Sequence, residues 1–386
     1  MIVNVSTLSH GTVRPAEDAM DLTRVLDMLG DAETSALGGL VIGVAFGAFA
    51  ERSRFCLRAA AVEFARGEIG GKVAIWLVAF SSAVLFTQLL VGSGHLDVAE
   101  ARQFAARGSL SGAVVGGALF GIGMVLARGC ASRLLVLSAS GNLRALLAGL
   151  IFAVAAEATI HGILSPLRDW VAGLWTIGGR EQLDLLQLAG LPQQAGLAIG
   201  AAFIVGAVFF AIRARLSPRG WLGAAGVGAT VTAGWWFTYQ LAGQAFIPMS
   251  VKSLTFTGPS ADTLMLVLAP PGRAFDFDIG LVPGVFAGAA LAALVAGEWR
   301  LQGFHDGHSM RRYIFGAVLM GFGGMLAGGC AVGAGVTGGS IFAVTAWATL
   351  FAMWAAAGVT DLLVDRPADG RKAEGGGRAP ATPLAP

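Results

Sequence analysis

The chain has 386 residues, 55% of them hydrophobic and only 13% charged, with a net charge of +2. Soluble domains carry about 25% charged residues, so this composition excludes an ordinary water-soluble protein and predicts an integral membrane protein with the lipid bilayer as its solvent. Three cysteines, with no CxxC and no Cys/His spacing, exclude a disulfide framework and a metal site; no cofactor and no nucleic-acid partner are expected.

Residues 1–35 are polar and of mixed charge, from Arg14 and Glu17 to Asp31 and Glu33. They lack the basic start and apolar core of a signal peptide. The leader is either mobile or an amphipathic surface helix over 18–29. A first apolar span over 36–50 runs into Glu51-Arg52-Ser53-Arg54-Phe55-Cys56. A charged helical piece, 57–66, precedes the second span, 72–92. The third, 110–127, closes on Arg128-Gly129-Cys130 and is followed by a short apolar piece, 131–139. The fourth is 144–164. A polar connection with Trp170 and Trp175 leads to the fifth, 195–212, and the sixth, 221–241. The apolar piece at 264–269 is far below the ~20 residues that cross a bilayer. The seventh span is 279–297, and the eighth, 313–327, closes on Gly328-Gly329-Cys330. A glycine-rich stretch leads to the ninth, 341–364, and the tail over 365–386 has the composition of a disordered segment. The expected fold is an all-α polytopic membrane protein of about nine spans with short broken or re-entrant helices.

The third and eighth spans are copies. At an offset of 200, GGALFGIGMVLARGCA from Gly116 matches GAVLMGFGGMLAGGCA from Gly316, and both end in Gly-Cys-Ala. A shift of five spans reverses direction. The single membrane domain, 36–364, therefore divides into a first half (36–164), a linker with the fifth span (165–220) and an inverted second half (221–364). Pseudo-symmetric inverted halves are typical of secondary transporters. With nine spans, eight of the 26 Lys and Arg residues fall on the N-terminal side and eighteen on the other. The positive-inside rule then puts the N-terminus outside and the C-terminus in the cytoplasm.

The chemistry centres on the Gly-Cys turns. A helix that starts after such a turn points free N–H groups and a partial positive charge at it, which favours an anion. Two such ends, one from each face, make an hourglass whose waist is lined by Gly129, Cys130, Gly329 and Cys330. Simple helix packing is the competing reading and suits Gly121, Gly123, Gly321 and Gly323. The thiols either pack, form a redox pair, or line a path as weak donors with soft acceptor sulfur. A soft lining suits a sulfur-containing anion. Arg128 and Arg133 flank the path and are candidates for anion attraction. Glu157 and His161 share one face of the fourth span and are either a proton relay or a solvated cap. An intramembrane thiol enzyme or redox sensor handling sulfur or selenium species is the alternative to transport.

At Phe46-Gly-Ala-Phe-Ala-Glu-Arg-Ser-Arg-Phe-Cys56, Leu126-Ala-Arg-Gly-Cys130 and Met320-Gly-Phe-Gly-Gly-Met-Leu-Ala-Gly-Gly-Cys330 the chain resembles the YeeE/YedE family of membrane proteins. The stretch from Ser250 to Pro259 resembles it too. The resemblance implies thiosulfate uptake across the bacterial inner membrane through an hourglass-shaped protein, with no enzymatic step. It implies that Cys130 is the central station of an S–H···S relay, with Cys56 and Cys330 on either side. A small cytoplasmic sulfur-carrier protein is a possible recipient.

Overall fold

The structure is a computed structural model that describes residues 22–99, 101–105, 107–270, 272, 275–303 and 307–366. Most of the expected leader, over 1–21, and the tail beyond 366 lie outside the described residues.

A short helix, α1 (Thr23–Leu29), precedes α2 (Asp31–Ser53), α3 (Leu57–Ala65) and α4 (Gly71–Gly92). A turn, α5 (Arg102–Ala105), and strand β1 (Gly108–Ser109) lead to α6 (Leu110–Leu126), α7 (Ala131–Ala139) and α8 (Leu143–Ile160). In the polar connection are α9 (Ser165–Gly173), strand β2 (Thr176–Ile177), α10 (Arg180–Leu183) and α11 (Leu185–Leu188); β2 pairs antiparallel with β1. Then come α12 (Ala195–Arg213), α13 (Pro218–Gln244), α14 (Thr257–Leu268), α15 (Phe277–Val295) and α16 (Gly307–Leu326). A π-helical turn over Ala331–Thr337, α17 (Gly338–Ser340), α18 (Val344–Thr360) and a second π turn, Asp361–Asp365, complete the fold. Several starts are fixed by side-chain caps. Ser109 Oγ accepts from Gly112 N at 2.8 Å, Asn142 Oδ1 from Ala145 N at 2.9 Å, and Asp276 Oδ1 from Ile279 N at 3.0 Å.

Seven described helices are long and apolar enough to cross a membrane, or eight when α16 and the bent segment after it count as one. The sequence leads to nine, and the difference is α13. This helix has 27 residues, a length of about 40 Å, and it traverses the molecule. Near its start, Gly223 lies against Ser53; just past its end, the amides of Phe246 and Ile247 bond to Asp31. Its long buried face, including Thr230, Thr232, Trp235 and Thr238, meets protein, so it need not be as apolar as a lipid-facing span.

Glycine sets the closest helix crossings. A Cβ at Gly280 or Gly284 would lie 1.9 or 2.3 Å from the carbonyl oxygens of Ala36 or Leu40. One at Gly39 or Gly43 would lie 2.1 or 2.5 Å from those of Phe277 or Leu281. The α2 and α15 backbones therefore touch directly, as small residues allow in membranes. Helices α6 and α16 exchange the same kind of contact: Gly116 meets Gly323 O, Gly323 meets Gly116 O, Gly123 meets Gly316 O, and Gly316 meets Gly123 O. These two helices therefore cross antiparallel. Other neighbours come in corresponding pairs: α2 with α15 and α13 with α4, α6 with α18 and α16 with α8, α3 with α18 and α14 with α8.

Candidate functional site

All three cysteines sit on one kind of turn. Arg54, Arg128 and Gly328, each two residues before a cysteine, have left-handed backbone with φ of 56°, 58° and 78°. The next amide then reaches back across the helix end: Phe55 N to Ala50 O at 3.1 Å, Gly129 N to Met124 O at 3.1 Å, and Gly329 N to Gly324 O at 2.8 Å. This is the closure of a helix C-terminus on an αL residue. The cysteine that follows is extended and becomes the N-cap of a new, short helix: Cys56 of α3, Cys130 of α7 and Cys330 of the π turn. The Cys130 and Cys330 turns match closely, with φ −81° in both and ψ of 171° and −173°.

The thiols are buried, Cys130 and Cys330 almost completely. Cys56 and Cys130 are neighbours in the interior. Ser132 Oγ lies 3.5 Å from Cys130 Sγ, and Gly333 N donates to Cys330 Sγ at 3.4 Å. The helix after Cys130 packs against the π turn after Cys330. The three thiol-bearing turns thus occupy one connected interior region.

Two clefts open toward that region from opposite ends of α6. One, with a volume of about 650 Å³, is lined by Cys56 and by Arg52, Arg54, Arg58, Arg128, Arg133 and Arg219. Three of these cations are matched: Arg133 pairs with Glu51 at 3.2 Å, Arg58 with Asp365 at 3.0 Å, and Arg54 weakly with Glu298 at 3.9 Å. Arg128 and Arg219 are exposed and make no ion pair among the described residues. The other cleft, about 340 Å³, is lined by Gly328, Gly329 and Gly333 beside Cys330, by Thr255 and Thr257, and by Arg102 and Arg107. Ser109, the N-cap of α6, lines this second cleft, and Arg128, just beyond the end of α6, lines the first.

Glu157 and His161 form a contact of 2.9 Å at the C-terminus of α8, with the histidine side chain 64% exposed. Neither residue lines either cleft. Gly121, Gly123, Gly321 and Gly323 lie in helix contacts. The stretch 250–256 is the feature that sequence reasoning placed but gave no role. It is non-helical backbone, buried over 253–256, and side chains satisfy it. Ser253 Oγ donates to Val231 O and Thr337 Oγ1 to Leu254 O, both at 2.6 Å, and Lys252 N donates to Thr238 Oγ1 at 3.2 Å. Irregular backbone survives at such depth only when protein supplies its partners. Lys252 Nζ is tied to Asp278 at 2.7 Å and Asp276 at 3.0 Å. Burial alone would lower its pKa, but the two carboxylates outweigh that and hold it above the usual lysine value. Thr255 belongs to this stretch and Thr257 opens α14 directly after it; their packing against Gly333 and Gly324 is long-range and leaves no local signal.

Two curated relatives are both named thiosulfate transporter TsuA. The protein from Escherichia coli (strain K12) is 25% identical over 344 residues, covering 82% of this chain and 91% of its own. The protein from Spirochaeta thermophila is 28% identical over 323 residues, covering 80% of this chain and 93% of its own. The family model described as Sulphur transport matches residues 52–359, a range that begins just before the Cys56 turn and takes in the other two. The chain belongs to the Sulphur transport family.

Proposed function

We propose that this protein carries thiosulfate, or a closely related sulfur anion, inward across the bacterial inner membrane through a cysteine-lined waist. The observation that carries the reading is the placement of all three thiols at the N-caps of broken helices, between two arginine-lined clefts. Each thiol offers one S–H donor and a soft acceptor sulfur at a helix start that favours negative charge. An anion with a terminal sulfur passes from Cys330 to Cys130 to Cys56 by exchanging S–H···S contacts. No covalent bond forms. The relatives' names support the substrate.

The reading includes inverted halves, 36–164 and 221–364, around the linker 165–220. The antiparallel exchange between α6 and α16 and the corresponding helix pairs support it. It also places the Cys56 cleft in the cytoplasm, the N-terminus in the periplasm and the C-terminus inside, because the cleft gathers cations from the 1–2, 3–4 and 5–6 connections. A small sulfur-carrier protein would take the product there.

The test is uptake of sulfur-35-labelled thiosulfate into proteoliposomes. Wild type accumulates label, and folded Cys130→Ala does not. Equal uptake by both would remove the relay while leaving transport intact. The nearness of Cys56 and Cys130 favours a second reading, a reversible redox pair that senses or handles sulfur species. A Cys56–Cys130 disulfide trapped in cells, with no thiosulfate uptake by wild type, would select it.

A further inference from the structure

The cleft beside Cys330 holds two buried hydroxyls that the relay does not use. Thr255 is 6% exposed and Thr257 1% exposed, and neither Oγ1 has a hydrogen-bond partner among the described residues. Leaving a buried polar group unpaired is destabilising, so two in one place call for a partner. Both residues line the cleft, flanking Phe256, the N-cap of α14. Phe256 holds the same station before α14 as Cys56 holds before α3: α3 packs on α18, and α14 packs on α8. The second half thus carries hydroxyls where the first carries a thiol. Glycine makes the room, since a Cβ at Gly333 would lie 2.2 Å from Thr255 Oγ1, and one at Gly324 2.9 Å from Thr257 Oγ1. Gly333 is also the residue whose amide bonds to Cys330.

The cleft selects charge. Arg102 and Arg107 line it, the start of the 12-residue α14 faces it, and none of its lining residues is acidic. Arg102 is fixed there by its amide, which bonds to Val251 O at 3.2 Å just before the threonine stretch.

We propose that Thr255 and Thr257 form an oxyanion subsite in this cleft, donating their hydroxyl protons to the oxygen atoms of a tetrahedral sulfur oxyanion while its terminal sulfur faces Cys330. The proposal rests on the transport reading and gives it a polarity. Hard oxygen is held by hydroxyls at the outer mouth, and soft sulfur leads into the thiols. An oxyanion with no terminal sulfur, such as sulfate, binds the subsite but does not advance.

Kinetics of labelled thiosulfate uptake separate this from packing. Thr255→Val and Thr257→Val each remove a hydroxyl at nearly constant shape; each raises KM about tenfold and leaves the maximal rate within twofold. Thr255→Ser and Thr257→Ser keep the hydroxyl and behave like wild type. Unlabelled sulfate competes with wild type and loses potency against the valine variants. A KM within twofold of wild type in both valine variants overturns the subsite, as do serine variants as impaired as the valine ones. A second readout does not depend on transport or on the valine variants. Sulfate and thiosulfate raise the melting temperature of the solubilised wild type and of the serine variants, whereas Arg102→Gln reduces the shift. Absence of any shift in wild type overturns the subsite even where uptake is normal. A shift without uptake keeps the subsite and removes the transport reading.

Discussion

Glu51 lies buried near the end of α2, and Arg133, on the first turn of α7, is its partner at 3.2 Å. The pair ties the Cys56 turn to the Cys130 turn. Arg133→Ala leaves a buried carboxylate without its counter-charge, which costs about 3–5 kcal/mol. Glu51→Gln keeps a hydrogen-bond acceptor and costs less. Thermal unfolding in detergent should rank them in that order; equal melting temperatures would show that water already solvates Glu51. Arg128 is a different case. It carries an exposed, unmatched charge on left-handed backbone, where a non-glycine residue costs about 1 kcal/mol. The equivalent residue in the second copy of the turn is Gly328. Arg128→Gly therefore raises the melting temperature and lowers thiosulfate uptake at low ionic strength. Salt narrows the difference in uptake, because exposed charges are screened over about 10 Å at 0.1 M. A variant that is both less stable and fully active would contradict both halves of the argument.

At the scale of elements, backbone contact between helices leaves no slack. Gly284→Leu would drive a side chain into the Leu40 carbonyl of α2, and backbone cannot rotate away as a side chain can. Folded protein recovered from membranes should fall severalfold, as judged by a monodisperse peak after solubilisation. A Cβ at Gly149, in α8, would meet no described neighbour within 4 Å. There Gly149→Ala should be neutral or stabilise by up to about 1 kcal/mol. These elements were largely legible in the sequence. The apolar runs located the lipid-facing helices, and the Gly-Cys pairs located two of the breaks. The third break was harder to see as the same turn, because Arg54-Phe55 stands where the others have Arg128-Gly129 and Gly328-Gly329. The π turn after Cys330 also escaped, since a run of Ala, Val and Gly without polar punctuation fits coil as well as helix. Thr255 and Thr257 drew attention only as part of a resembling stretch, because their burial depends on partners about 70 residues away in the chain.

For the whole molecule, the two clefts differ in size and in charge. The Cys56 cleft has the larger volume and the richer set of arginines, and its walls come from the ends of α2 and α6 and the starts of α3, α4 and α13. The opposite cleft has Arg102 and Arg107 and reaches the Cys330 turn through glycines and hydroxyls. If the first is cytoplasmic, Cys56 is the thiol that meets the cell interior, whereas Cys130 is enclosed. The chain has only three cysteines, so the assay needs few changes. In Cys130→Ala/Cys330→Ala protein, a charged, membrane-impermeant methanethiosulfonate should modify Cys56 in inverted vesicles and leave it intact in right-side-out spheroplasts. Bound thiosulfate should slow the reaction, because it occupies the same cleft. Modification from the periplasmic side alone would turn the topology over, and the charge asymmetry would then have to be explained by anion capture at the outer face. Modification from neither side would mean that Cys56 is sealed from water, and the cleft would not be a vestibule.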